Sequence, residues 1–218
     1  MKKFFKNYFH VLLVIAIIIA NIVFVIITKE FSSLGFFGSI LGVTSVAMMA
    51  KGHFSGFYFA GASNILFGII AFNSSLYGSM MLQSFYFVVQ IIGIAQWKKN
   101  LNEDNNIVKV RKINLQNLIK LIVVGVIASI TYGVVLSFLN NRTPFIDSLV
   151  TSLAITAILL TVKRYQEAWY FWILANISNI ILWSIALSNN VANSFLMLST
   201  LIIFLVGSIY GLLNWRKI

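Results

Sequence analysis

Eight long apolar runs, at roughly 9–27, 34–50, 54–72, 77–97, 117–139, 146–162, 168–187 and 192–214, fill most of this 218-residue chain. A bilayer core takes roughly 20 helical residues per crossing. Inside it only helices and closed barrels satisfy every peptide group. A barrel would need alternating strands of about 10 residues rather than continuous runs. The composition points the same way: 10% of residues are charged and 60% hydrophobic, against about 25% and 45–50% in a soluble domain. The sequence therefore predicts an all-α polytopic membrane protein with eight transmembrane helices and no room for a separate soluble domain.

Charge sets the orientation. Lys and Arg collect in cytoplasmic loops. With the N-terminus inside, 14 of the 16 basic residues fall on the cytoplasmic side: Lys2, Lys3, Lys6, Lys51, Lys98, Lys99, Lys109, Arg111, Lys112, Lys120, Lys163, Arg164, Arg216 and Lys217. Only Lys29 and Arg142 fall outside. Removing one span would break this alternation, so the charges also support the helix number. Both termini are expected in the cytoplasm. The net charge of +11 is read as this topology signal and not as a nucleic-acid surface, because no soluble element offers a basic face. Lys2, Lys3 and Lys6 before Val11–Ile27 mimic a signal peptide. The apolar stretch is long for one and no A-x-A site follows, so a genuine first helix is expected.

The halves of the chain resemble each other. Phe57-Tyr58-Phe59-Ala60-Gly61-Ala62-Ser63-Asn64 lies over Trp169-Tyr170-Phe171-Trp172-Ile173-Leu174-Ala175-Asn176 at an offset of 112. Gly93-Ile94-Ala95-Gln96-Trp97-Lys98-Lys99 lies over Gly211-Leu212-Leu213-Asn214-Trp215-Arg216-Lys217 at an offset of 118. Helices 2–4 thus repeat as helices 6–8, with helix 5 restoring the direction. The expected organisation is an extra N-terminal helix (1–30), a three-helix bundle (31–100), a basic loop and linker helix (101–141), and a second, parallel bundle (142–218). Such parallel repeats place a cavity between them.

Polar side chains in hydrocarbon are costly and usually face a partner or a cavity. Helix 7 carries Trp169, Trp172, Asn176, Asn179 and Trp183 at spacings of 3, 4, 3 and 4, which is one face. Helix 4 carries Gln83, Phe87, Gln90, Ile94 and Trp97 at 4, 3, 4 and 3, with Tyr86 beside them. Helix 3 adds Asn64, and helix 6 adds Asp147, Ser148, Thr151, Ser152 and Thr156. For the Ser and Thr residues the plainer reading is helix packing. For Trp97, Trp169 and Trp215, near helix ends, an interfacial belt is an equally open reading. The amides on aromatic-lined stripes suit a flat, polar small-molecule ligand.

The missing groups narrow the chemistry. Helices 2–8 carry no Asp, Glu, Lys, Arg or His at mid-membrane depth, so no proton relay is visible and facilitated diffusion is the simplest transport mode. His10 and His53 are far apart, and there is no cysteine, so neither a metal site nor a cofactor is expected. Five carboxylates near loops, with no P-loop or G-x-S-x-G elbow, argue against an enzyme.

Trp169-x-x-Trp172-x-x-x-Asn176 resembles the W-x-x-W-x-x-x-N signature of the PnuC-type bacterial vitamin transporters. Gly93-x-x-x-Trp97, echoed by Gly211 and Trp215, is similar to that family's G-x-x-x-W helix end, and the 3+1+3 layout matches as well. The resemblance implies uptake of nicotinamide riboside across the bacterial inner membrane through a SWEET-like central cavity, with a cytoplasmic kinase trapping the product by phosphorylation. Relatives carry thiamine, riboflavin or deoxynucleosides, so the substrate stays open. A non-transporting membrane-embedded binding subunit is the other class. By analogy Trp169 and Trp172 shape the cavity, while Asn176 and Gln90 bond the ligand, with Gln83 and Tyr86 as further candidates. Asn64, Asn179, Trp183 and Trp97 complete the candidate set. A homotrimer is compatible with the family. The second repeat has Ser208 where the first has Gln90, which argues against a strictly two-fold site.

Overall fold

The computed structural model describes residues 2–29, 31–73, 77–102, 107–139, 142–189 and 194–217. Among them the chain forms eight α-helices: α1 (Lys2–Thr28), α2 (Ser33–Ala50), α3 (Gly56–Asn73), α4 (Tyr77–Lys98), α5 (Leu115–Phe138), α6 (Pro144–Val162), α7 (Ala168–Ser188) and α8 (Ser194–Trp215). The breaks have local causes. The Ser32 hydroxyl accepts from Gly35 N at the start of α2, the Asn114 side chain accepts from Gln116 N at the start of α5, and Pro144 opens α6, where its missing N–H is harmless. Residues 192–193, expected to open the last helix, lie outside the described residues.

Six helices are long and apolar enough to cross a membrane; α1 and α3 carry the shorter apolar stretches Val11–Ile27 and Gly56–Ile70. The described residues place α2, α3, α4, α6, α7 and α8 in a closed ring, each touching its two neighbours in that order. Among the described residues no two helices across the ring approach within 8 Å between Cα atoms. The centre of the ring is thus left to side chains. The other two helices lie outside it, α1 against α2 and α8, and α5, among the described residues, against α6 alone.

Small residues set the closest approaches. A Cβ on Gly42 would meet Phe204 and Ser63 at 3.2 Å, and one on Gly133 would meet Phe145 at 2.6 Å. On α1, Leu13 and Ile17 are buried against Val43, Ala47 and Ile203. The Asn21 amide donates to Ile17 O (2.8 Å) and to Ser39 Oγ (3.0 Å), so this buried polar group is satisfied. Most of α5 beyond its α6 contact, including Ile122, Val126 and Ile130, stays exposed, as expected of a lipid-facing surface.

The basic loop between α4 and α5 is more ordered than its polar composition suggested. Val108 N donates to Gly52 O (3.0 Å), and Arg111 N to Arg164 O (2.8 Å). Gln166 N donates to Arg111 O (2.9 Å), and Ile113 N to the Glu167 carboxylate (3.1 Å). Residues 107–113 thus form a strap joining the turn after α2 to the turn after α6. Residues 103–106 lie outside the described residues.

Those two turns repeat each other in the bonds that close them. His53 N donates to Met48 O and Tyr165 N to Leu160 O, each at 3.0 Å. Gly56 N donates to His53 O, and Ala168 N to Tyr165 O. The left-handed residue falls at Gly52 (φ 82°) in one and Arg164 (φ 65°) in the other.

Candidate functional site

Two layers of side chains line the centre of the ring near the ends that carry Lys98 and Arg216. The first is aromatic. Phe57 meets Trp97 edge-on with ring centroids 4.8 Å apart, Trp97 meets Trp215 at 5.5 Å, and Trp215 meets Trp169 edge-on at 5.5 Å. Because α4 and α8 are not ring neighbours, the Trp97–Trp215 contact crosses the lumen. All four rings are buried, Trp97 completely. Gly93 and Gly211 make room for them: a Cβ on Gly93 would overlap the Phe57 ring, and one on Gly211 would meet the Trp169 ring at 2.6 Å.

The second layer is polar. Seven residues of helix are two turns, about 10.5 Å, and return to nearly the same face. Asn64, Gln90, Asn176 and Ser208 each stand seven residues from Phe57, Trp97, Trp169 and Trp215 in turn. The layer holds no charge. In one half it is self-satisfied, since Asn176 Nδ2 donates to Ser208 Oγ (3.1 Å) and Ser208 Oγ to Phe204 O (2.8 Å). In the other half, Asn64 Nδ2 and Gln90 Oε1 are buried without a hydrogen-bond partner. Such groups cost about 1–3 kcal/mol each when left unpaired. A free donor and a free acceptor thus stand on adjacent helices, the pairing that a ligand with both functions would satisfy.

The remaining sequence-predicted residues divide between two places. Trp172 Nε1 donates to Thr161 Oγ1 (3.0 Å), and Thr161 O accepts from Trp97 Nε1 (2.9 Å), so both tryptophans meet on α6. Tyr86 and Trp172 pack against the aromatic cluster. Asn179 and Trp183 continue the α7 face, half-buried. Gln83 lies instead with Asn64 in a cavity of about 420 Å³ between α3 and α4, walled by Ile65, Ile69, Phe72 and Phe87, within the size range of small-ligand sites. No α7 residue lines that cavity, so the two stripes do not form one continuous wall. Trp97, Trp169 and Trp215 are not an interfacial belt: they are packed on one another, where a belt residue would reach the membrane surface. Sequence reading passed over Phe57, although the repeat alignment had already set it over Trp169.

A helical ring with a neutral, aromatic-floored lumen defines the class: a polytopic membrane protein built as a small-molecule transporter. Residues 32–217 match the nicotinamide mononucleotide transporter family, and the chain belongs to that family. The nicotinamide riboside transporter PnuC of Neisseria mucosa is 29% identical over 185 residues, covering 83% of this chain and 70% of that protein. The PnuC of Haemophilus influenzae is 28% identical over 213 residues, covering 96% and 90%. A crystal structure of the vitamin B3 transporter PnuC superimposes with a TM-score of 0.80 at 29% identity, covering 96% of this chain and 91% of that one.

Proposed function

We propose that this chain carries nicotinamide riboside across the bacterial cytoplasmic membrane by facilitated diffusion, with a cytoplasmic kinase trapping the product. The observation that carries the reading is the unpaired amide couple of Asn64 and Gln90 within an uncharged layer. A primary carboxamide offers both a donor and an acceptor, and ribose hydroxyls offer more. The faces of Trp172 and Tyr86 suit a cationic pyridinium ring. The neutral layer also favours the riboside over the mononucleotide, because a phosphate moved into such a site would lose its hydration with no cation to replace it. Trp169, Trp172, Asn176, Asn179, Trp183 and Trp97 complete the proposed wall of the path, with Gln83 beside it in the α3–α4 cavity that Asn64 also lines.

In this reading α2–α4 and α6–α8 are parallel bundles joined by α5, all eight helices span the membrane, and both termini are cytoplasmic. The matched turns after α2 and α6 support the repeat. The basic residues at that end support the orientation.

The test is a titration of purified protein followed by tryptophan fluorescence, with nicotinamide riboside, nicotinamide mononucleotide, thiamine, riboflavin and a deoxynucleoside in parallel. The riboside is expected to quench at micromolar concentration and the mononucleotide at least ten times more weakly. A response to another vitamin alone would reassign the substrate. Silence toward all of them would favour a non-transporting subunit.

A further inference from the structure

We propose that Phe57, Trp97, Trp169 and Trp215 form the cytoplasmic gate, and that two reciprocal tryptophan-to-carbonyl bonds latch it. This rests on the transport reading and on its orientation. The rings meet across the lumen at a single depth and seal it, with Val108 of the strap also buried in their cluster.

The latches lie on the two seams between the halves of the ring. Trp97 Nε1 on α4 donates to Thr161 O at the end of α6 (2.9 Å). Trp215 Nε1 on α8 donates to Met49 O at the end of α2 (3.0 Å), and Asn214 Nδ2 beside it to Ala50 O (2.9 Å). Thr161 and Met49 are 112 residues apart, the same offset as the repeat. Each half therefore clasps the first helix of the other, and the gate opens only when α4 parts from α6 or α8 from α2. The strap ties both turns below, at Gly52 and Arg164. Trp172, one turn from Trp169, holds the Thr161 hydroxyl. A ligand that moves the Trp172 ring therefore pulls on the residue that latches Trp97, which couples occupancy to opening.

The chain has no cysteine, so Ser208→Cys, two turns beyond Trp215, is a unique reporter in the lumen. Inverted membrane vesicles expose the cytoplasmic end, where a membrane-impermeant maleimide is added. Labelling is expected to be slow in this background and at least tenfold faster with Trp97→Ala or Trp215→Ala. The double variant Trp97→Phe with Trp215→Phe keeps the rings and deletes both latches, and is expected to label severalfold faster. It also decides the matter should the alanine variants fail to fold. Unchanged labelling in the folded variants overturns the gate. Wild-type riboside flux, measured in the same vesicles, reports separately on the transport reading, since the plug would still bar the reagent in a chain that carries nothing.

Discussion

Gly93 and Gly211 show how little latitude the centre of this molecule has. Each faces an aromatic ring that is itself packed on a tryptophan, so an added methyl has nowhere to go. Overpacking of this kind costs about 1–3 kcal/mol. Gly93→Ala and Gly211→Ala should each lower the melting temperature of the purified protein, read by dye-based thermal unfolding in detergent; equal melting would show that the rings move aside. Asn64→Leu removes the free donor of the polar layer and should weaken riboside binding by tenfold or more while leaving insertion and folding intact. Asn176→Leu should likewise abolish binding, and unchanged affinity would remove either residue from the site. His53 lies in the turn after α2, and partial burial together with Lys51 holds its imidazole below the usual range. The unfolded chain takes up that proton near pH 6.5 and the folded chain only at lower pH. Stability should therefore fall as pH drops below about 6.5. His53→Gln should flatten the melting profile between pH 7.5 and 5.5, and an unchanged slope would assign the loss elsewhere.

Among the elements, α1 stands apart. It lies outside the span that matches the family, yet it buries Leu13 and Ile17 and bonds Ser39 across the α2–α8 side of the ring. The opposite seam, between α4 and α6, has no covering helix among the described residues. Deleting residues 1–30 should lower thermal stability, because Val43, Ala47 and Ile203 lose their cover, while riboside binding persists, since no proposed binding residue touches α1. Loss of binding in a folded truncation would give α1 a part in the site. The strap is an element of another sort. Its residues read as a polar loop, and only the facing carbonyls of Gly52 and Arg164 made it a cross-brace.

At the scale of the whole molecule, the ring carries no titratable group in its polar layer, so uptake should not respond to a pH gradient. The riboside is a cation, however, and a uniporter of a cation feels the membrane potential, worth about 2.3 kcal/mol per charge at 100 mV. In sealed vesicles without kinase, the riboside should reach equal concentrations at zero potential and accumulate only when the interior is made negative. Accumulation driven by a proton gradient at zero potential would refute the uncoupled mechanism.

Much of this was legible before any coordinates. Length and hydropathy locate the eight helices to within a few residues, apart from α1, which begins at Lys2 rather than near residue 9, because a bilayer-length apolar run leaves the backbone no other means of satisfying itself. The 3.6-residue period likewise places Trp169, Trp172 and Asn176 on one face of α7. Tertiary structure alone decides what that face meets. Spacing along a helix is a local property, whereas pairing depends on which side chain lies opposite. Asn176 finds Ser208 and is satisfied, Asn64 and Gln90 find nothing, and Trp97 reaches a carbonyl 64 residues away. The same residue types thus became a closed pair, an open couple and a latch.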